Sequence, residues 1–583
     1  MVSESSACRA LSEADNESSP TLHKRPISLH GSPNMPLPGR SISIHCGRAW
    51  ILSGAIGFLL SAALGVALGW FPGWAGSLGP GAAFRVERAR ADLARFLADG
   101  APRVAGTPAA GAARDRLEAQ LRELGLEVRR AAARVERRAG AVDLENLTAL
   151  VPGRTPGDAR VALVAHSDSA PGSPGASDDG AGVACLVEVA RCLREAPPER
   201  SVLLVFTDGE ERGLLGAQAF VANDPDARAL RAVVNLDARG ACGPAFVFET
   251  GPETAWLSGV LAGIPGVRSN SLMGAVYGAM PNGTDFTVFR RAGVSGFNVA
   301  FIGDVGAYHA PDDTQARQSV QSLAHMGTVA LAMVRTLDRD LPPGGVPPGA
   351  AVYGDVLGLV VVRWPDGWTL PMAVVALLVA GLGIAPARRG IAGMAAALGV
   401  LAVSAGLGWL LGAIAGMGGL TMANAPGRLA ALDAALFGTA ALATVAAGVV
   451  LARRGVDVAS ATAGAWAPWA ALAVGSAVAL PAVSFPFVLP VTVLAAGLLL
   501  LLLPWRSSGD ARLLPASFAA AMAAGALLLP LEPAFLDALG FQPGWLNGLR
   551  AGIVSVTLLP LAAGAARSGV DPSTQAARDH LRG

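Results

Sequence analysis

Acidic and imidazole side chains stand at the ends of three apolar runs, "RVALVAH", "SVLLVFTD" and "AVVNLDA". Short continuous runs of this kind are typical of strands buried on both faces of a sheet, and ligands gather outside the carboxyl ends of such strands. Carboxylate and imidazole groups suit a divalent transition metal and can also move protons. These side chains, in chain order, are His166 and Asp168, Glu210 and Glu211, and Asp237.

Two further segments supply the same chemistry. "PGASDDGAGVA" places Asp178 and Asp179 side by side before a predicted helix, and "GDVGAYHAPDDT" carries His309. Taken singly, an aspartate at a strand end is more often a solvated or capping residue, and a lone histidine is more often structural. His325 stands in an amphipathic helical pattern without acidic neighbours, and we interpret it as structural.

The order of these motifs carries more weight than any one of them. The motifs occur in the order HxD, GASDDG, GEE, NLD and YH, with DDT just after YH. This order resembles that of the co-catalytic dizinc aminopeptidases, family twenty-eight of the metallopeptidases, and the similarity covers most of residues 100–335. "MPNGTDFTVFRRAGVSGFNVAFI" and the multispan C-terminal part are similar to the membrane-anchored branch, which includes the endoplasmic reticulum metallopeptidase and the vacuolar membrane protease. Ala181 departs from the serine common in the family, which affects only local packing.

The resemblance implies two zinc ions per chain and five ligands. His166 and Asp237 would bind one ion, and Glu211 and His309 would bind the other. Asp178 would bridge them. Two zinc ions bring four positive charges, which three carboxylates and one hydroxide would balance if both histidines are neutral.

Three further roles follow from the resemblance. Glu210 would be the general base, Asp168 would fix the tautomer of His166, and Tyr308 would donate to the oxyanion, although a packing role for Tyr308 stays open. Asp179 is predicted to cap the following helix. The implied activity is an aminopeptidase acting on peptides with a free N-terminus.

Composition places much of the chain in lipid, since 52% of the 583 residues are hydrophobic and the mean hydropathy is +0.46. The predicted fold is an α/β domain, with a mixed central sheet covered by helices on both faces, followed by an all-α multispan membrane domain. The predicted organisation is a disordered cytoplasmic tail (1–48), a transmembrane anchor (49–71), an extracytoplasmic zinc peptidase domain (72–345), a membrane domain of about seven helices (350–567) and a cytoplasmic tail (568–583).

Charge around the predicted spans sets the orientation. "PARRG", "LARRGVD" and "PWRSSGDAR" carry arginine on the side of the basic N-terminal tail, whereas "GGLTMANAPGR" on the other side holds one arginine. The positive-inside rule therefore predicts eight spans with the peptidase domain outside. The arginine-rich, lysine-poor composition, with its excess of Ala, Gly and Pro, suggests a bacterial genome. Together with the predicted orientation, this places the protein in a bacterial inner membrane with a periplasmic peptidase domain.

Several functions are disfavoured or left as alternatives. The net charge of +1 and the lack of basic runs disfavour nucleic-acid binding. Cys185 and Cys192, seven residues apart on one predicted helix, are too far apart for a direct disulfide. The alternatives are a binding or sorting protein with an inactive peptidase-like ectodomain, a one-metal glutaminyl-cyclase-like enzyme, and a transporter with an accessory peptidase domain. Oligomerisation through membrane helices stays open.

Overall fold

The structure is a computed structural model that describes residues 83–138, 140–155, 161–384, 389–500 and 509–568. Three predicted segments lie wholly or mostly outside these residues: the N-terminal tail 1–48, the anchor 49–71 and the C-terminal tail 568–583. The described residues cover most of the predicted peptidase domain and of the predicted membrane domain.

Eight strands form one mixed sheet. In chain order they are β1 (Val128–Val135), β2 (Val142–Val151), β3 (Val161–His166), β4 (Val202–Thr207), β5 (Ala232–Ala238), β6 (Cys242–Thr250), β7 (Arg268–Ser269) and β8 (Ser295–Gly303). Their order in the sheet is β1-β2-β4-β3-β5-β8-β6-β7. The central strands β4, β3, β5 and β8 are parallel, whereas β1, β2 and β6 pair antiparallel with β2, β4 and β8. The predicted fold class is confirmed.

Helices cover both faces of this sheet. They are α1 (Val86–Leu97), α2 (Pro108–Glu123), α3 (Gly180–Glu195), α4 (Leu215–Asn223), α5 (Thr254–Ala262), α6 (Ser271–Gly278), α7 (Asp285–Arg291) and α8 (Val320–Asp340). Along β3, Leu163 and Ala165 enter an apolar core shared with α1, α3 and α8. Ala162 and Val164 enter a second core with α4 and α7. Both faces of β3 are therefore buried, as its unbroken apolar run predicts.

The described residues of the C-terminal part are largely helical. The helices are α9 (Thr369–Ile384), α10 (Gly390–Met417), α11 (Pro426–Arg453), α12 (Val458–Ala479), α13 (Phe485–Leu500), α14 (Gly509–Leu528), α15 (Glu532–Leu539), α16 (Gly544–Val556) and α17 (Leu559–Ser568). Among the residues that the structure describes, three stretches are long and apolar enough to cross a membrane, namely Gly390–Met417, Pro426–Arg453 and Leu513–Asp537, and α16 with α17 forms a bent fourth candidate. The total of eight spans stays a prediction.

Glycines bring α10 and α16 into backbone contact. A Cβ atom at Gly408 would overlap the carbonyl oxygen of Gly544, and one at Gly548 would overlap the carbonyl oxygen of Ser404. The small residues of "GLGWLLGAIAGMGG" allow this close approach of the two backbones.

A hairpin that the sequence analysis does not predict links the sheet to the helical region. Its strands are β9 (Ala351–Val356) and β10 (Val360–Pro365). The Trp364 ring stacks on Phe485 of α13, with ring centroids 5.6 Å apart. Close by, the Ser271 hydroxyl of α6 donates to the carbonyl oxygen of Ala482 at 2.6 Å. The helical region therefore packs directly against the α/β domain.

Candidate metal centre

The predicted site residues meet at the carboxyl edge of the four parallel strands. His166 is the last residue of β3, and Asp237 lies near the end of β5. Glu210 and Glu211 follow β4, and His309 follows β8. Parallel strands present their carboxyl ends at one edge, so four separate chain segments converge there.

Asp178 lies between the two histidines. Its Oδ1 is 3.0 Å from His166 Nε2, and its Oδ2 is 3.1 Å from His309 Nε2. The same His309 nitrogen is 3.0 Å from Glu211 Oε2. Each oxygen of one buried carboxylate is thus placed beside a different imidazole.

Two groups of donor atoms result, and Asp178 belongs to both. One group is His166, Asp178 and Asp237; the other is Asp178, Glu211 and His309; the donor atoms within each group lie within 4.8 Å of one another. Two donors that bind one zinc ion tetrahedrally at about 2.0 Å stand about 3.3 Å apart. The spacing and the donor types therefore fit a pair of zinc ions that share Asp178.

The electrostatics of the metal-free centre also favour a cation. Burial, followed by the negative charge of Asp178, raises the pKa of Asp237 to about 8. Burial, followed by nearby carboxylates such as Asp237, also holds the pKa of Glu210 well above its usual value. Carboxylates concentrated in a poorly hydrated site favour a bound cation, which removes the cost of their mutual repulsion.

The carboxylates also raise the pKa values of the two histidines. Burial alone would lower the pKa of His309, but its contacts with Asp178 and Glu211 outweigh burial and raise the pKa to about 10. The contacts of His166 with Asp168 and Asp178 likewise raise its pKa above the usual value, against the effect of burial. In the metal-free protein, these contacts favour the protonated form of both imidazoles.

Asp168 joins the β3 end to the loop that carries the glutamates. Its two oxygens accept the backbone N–H groups of Glu210, at 3.1 Å, and of Glu211, at 3.3 Å. Its Oδ1 also lies 3.4 Å from His166 Nδ1, the ring nitrogen that faces away from Asp178. Asp168 is thus positioned to orient both an imidazole and the two glutamates.

Asp179 caps helix α3, as predicted. Its carboxylate accepts the backbone N–H of Gly182 at 2.9 Å and that of His166 at 3.2 Å. A Cβ atom at Gly182 would collide with this carboxylate, which explains a glycine in the first turn of the helix.

Two residues that brace the Asp178 loop were missed by sequence reasoning. Arg103 is buried and donates from Nε to the carbonyl oxygen of Ser167 and from Nη2 to that of Gly175, both at 3.0 Å. The Asp313 carboxylate accepts the backbone N–H of Ser177 at 2.9 Å and that of Asp178 at 3.1 Å. Asp313 belongs to the DDT motif, but the bracing role of either residue has no local signal, because their partners are 64 to 136 positions away.

Tyr308 stacks on the neighbouring imidazole. The ring centroids of Tyr308 and His309 are 3.7 Å apart, and the guanidinium of Arg239 lies 6.0 Å from the tyrosine ring. Burial and nearby carboxylates raise the pKa of Tyr308, so its hydroxyl keeps its proton at neutral pH. His309 has a φ of +56°, a left-handed conformation that is uncommon for a residue other than glycine.

A cavity of about 300 Å³ adjoins the carboxylates. Asp178, Glu210 and Asp237 line its polar end, and Tyr308 and Tyr277 also face it. The remaining lining is largely apolar. The sequence analysis does not assign Tyr277 to the site.

Two structural interpretations are confirmed. His325 of α8 accepts the backbone N–H of Ala245 at Nδ1 and donates from Nε2 to the carbonyl oxygen of Gly266, both at 3.0 Å. It is a buried and fully paired core residue. Cys185 and Cys192 are buried free thiols.

Comparison with protein families identifies this part of the chain. Residues 146–334 match Peptidase family M28, a stretch that includes His166, Asp178, Glu211, Asp237 and His309. Residues 146–334 are an M28 peptidase domain. The predicted resemblance is confirmed.

Curated relatives of the M28 domain include membrane proteases. The chain is 34% identical over 236 residues to endoplasmic reticulum metallopeptidase 1 of Rattus norvegicus, an alignment that covers 38% of this chain and 26% of the rat protein. It is 33% identical over 190 residues to the vacuolar membrane protease of Botryotinia fuckeliana, covering 32% of this chain and 18% of that protein. The chain thus matches about a quarter or less of the length of these relatives.

Solved structures similar to the M28 domain include a glutaminyl cyclase from Fimbriiglobus ruber, with 23% identity, a TM-score of 0.36, and coverage of 45% of this chain and 97% of that one. A Zn-dependent exopeptidase from Parabacteroides distasonis has 20% identity, a TM-score of 0.36, and coverage of 43% and 98%. Neither likeness bears on which reaction this chain catalyses.

Proposed function

We propose that this chain is a membrane-bound zinc exopeptidase of the aminopeptidase type. The observation that supports it most directly is the position of Asp178, whose two oxygens lie 3.0 and 3.1 Å from two different imidazoles. A carboxylate shared in this way fits a bridging ligand between two ions.

His166 and Asp237 would hold one zinc ion, and Glu211 and His309 the other, with Asp178 common to both. When bound, the ions would polarise the substrate carbonyl and lower the pKa of the attacking water. Asp168 would keep His166 in the tautomer that binds metal through Nε2, because Asp168 Oδ1 lies 3.4 Å from Nδ1.

Glu210 is the residue that we assign to proton transfer. It lines the cavity, belongs to neither group of donor atoms, and has a pKa held above the usual value by burial. A carboxylate with a raised pKa can take a proton from the attacking water and return it to the leaving amine. Tyr308, with its hydroxyl protonated, would donate to the oxygen of the tetrahedral intermediate.

The helical region would hold the enzyme in a bilayer with the M28 domain on the extracytoplasmic side. Arg453 is the last residue of α11, and Arg454 follows it. Both belong to "LARRGVD", the loop that the positive-inside rule places in the cytoplasm. The proposed location is a bacterial inner membrane, with a periplasmic M28 domain. The proposed substrates are peptides with a free N-terminus.

The test uses the full chain purified in detergent. We expect about two zinc ions per chain by elemental analysis. We also expect hydrolysis of peptides with free N-termini and no hydrolysis of the same peptides after N-terminal acetylation. An absence of both metal and hydrolysis would instead favour a binding or sorting protein. Cleavage of acetylated peptides at internal bonds would overturn the exopeptidase assignment.

A further inference from the structure

Part of the cavity wall comes from the helical region. Leu531, Ala534 and Phe535, at the start of α15 and just before it, line the same cavity as Glu210 and Asp237. The M28 domain supplies the other apolar side chains of the lining, among them Phe248 and Met273. The cavity is therefore built by both parts of the chain.

This wall is packed firmly against the sheet. Leu531 is 5% exposed and Ala534 is 8% exposed, and both form one apolar cluster with Phe246 of β6. Phe535 is half-buried and packs on the same cluster. The residues that line the cavity on this side therefore also pack against the sheet.

A partly buried ion pair between helices also holds α15. Arg550 Nη2 of α16 lies 2.5 Å from Glu532 Oε2, at the first residue of α15, and 3.5 Å from Asp433 Oδ1 of α11. The Arg550 guanidinium lies 5.6 Å from the Phe535 ring. Separating a buried charge from its partner is costly, so the position of Phe535 depends on α11 and α16 as well as on α15.

We propose that the helical region determines specificity, with Phe535 and Ala534 setting the size of the apolar side chain that the cavity accepts. This inference rests on the proposed peptidase function. The occupant is the apolar side chain of the N-terminal residue of a peptide. The carbonyl group of this N-terminal residue would lie near the carboxylates that line the cavity, and its side chain would lie against α15. An apolar wall excludes charged side chains because they would lose hydration without gaining a partner.

Two substitutions with opposite effects test this in the full chain in detergent. Phe535→Ala enlarges the cavity, so kcat/KM for a bulky N-terminal residue such as tryptophan should rise about tenfold relative to that for leucine. Ala534→Leu fills the cavity, so kcat/KM for leucine should fall about tenfold relative to that for alanine. Phe487→Ala is the matched control, because Phe487 is also half-buried in the helical region but packs on Trp469 at 5.9 Å.

The outcomes separate this inference from the proposed function. If the unmodified chain hydrolyses no peptide, the proposed function fails. If it does hydrolyse them and neither variant alters the kcat/KM ratios, the inference is overturned while the peptidase assignment stands. If one variant does not fold, the kcat/KM ratio measured for the other variant decides whether the inference holds. A Phe487→Ala chain with the same altered ratio as Phe535→Ala would also overturn the inference, since the effect would not be local to the cavity.

Discussion

Asp178 and Asp179 are neighbours in the sequence, yet their carboxylates have different partners. Asp178 lies between two imidazoles, whereas Asp179 accepts the backbone N–H groups of Gly182 and His166. One carboxylate faces the metal centre and the other caps the helix behind it.

Asp178→Ala and Asp179→Ala should therefore have different effects. We expect Asp178→Ala to lose zinc and activity because both donor groups share this residue. Asp179→Ala should keep its zinc and lower the free energy of unfolding by about 1–2 kcal/mol through the lost cap. Elemental analysis and denaturant unfolding measure the two effects. Full zinc content in Asp178→Ala would contradict the bridging role.

Glu210→Gln should keep zinc while turnover falls by about 10²–10⁴-fold, because an amide cannot accept the proton. The measurement is kcat on an aminoacyl reporter together with zinc content. Glu127→Gln, which changes an exposed glutamate just before β1, is the matched control and should leave both unchanged. Wild-type turnover in Glu210→Gln would remove this residue from the proton-transfer role.

Tyr308→Phe should lower kcat by about 10²-fold with little change in KM, since the hydroxyl would act on the transition state rather than on bound substrate. Tyr277→Phe is the comparison, because Tyr277 lines the same cavity and loses the same group. A loss of kcat confined to Tyr277→Phe would transfer the oxyanion role to that residue.

Zinc binding should release protons at neutral pH. Burial and Asp178 raise the pKa of Asp237 to about 8, and contacts with Asp178 and Glu211 raise that of His309 to about 10 in the metal-free protein. Both groups hold protons at pH 7 and must lose them to bind a metal, so the apparent affinity for zinc should rise with pH. Calorimetry in two buffers with different ionisation enthalpies should report a net release of protons when zinc binds. An affinity that does not change between about pH 6 and 8 would contradict this ligand set.

The sequence predicted the elements whose signals are local. The strands β3, β4 and β5 are short apolar runs. Because they are parallel neighbours in one sheet, the polar residues at or just beyond their ends lie together at one edge of that sheet. The N-terminal cap of α3 was equally evident from "DDGAG". These predictions succeed because strand burial and helix capping depend on neighbours within a few residues.

The bracing residues and the cavity wall could not be predicted in this way. Arg103 is separated from Gly175 by 72 positions, and Asp313 from Ser177 by 136. Phe535 stands in the short helix "EPAFLDAL", and the local sequence does not show whether its ring contacts lipid, a neighbouring helix or a ligand. Only the fold determines which of these it contacts.

The glycine contact between α10 and α16 links distant parts of the molecule. Gly548 lies against α10, and the same helix carries Arg550, whose guanidinium pairs with Glu532 beside Phe535. A methyl group added at Gly548 would push the two helices apart and carry Arg550 with them. A genetic screen for altered peptide choice should therefore recover mutations at helix-packing glycines as well as at the strand ends.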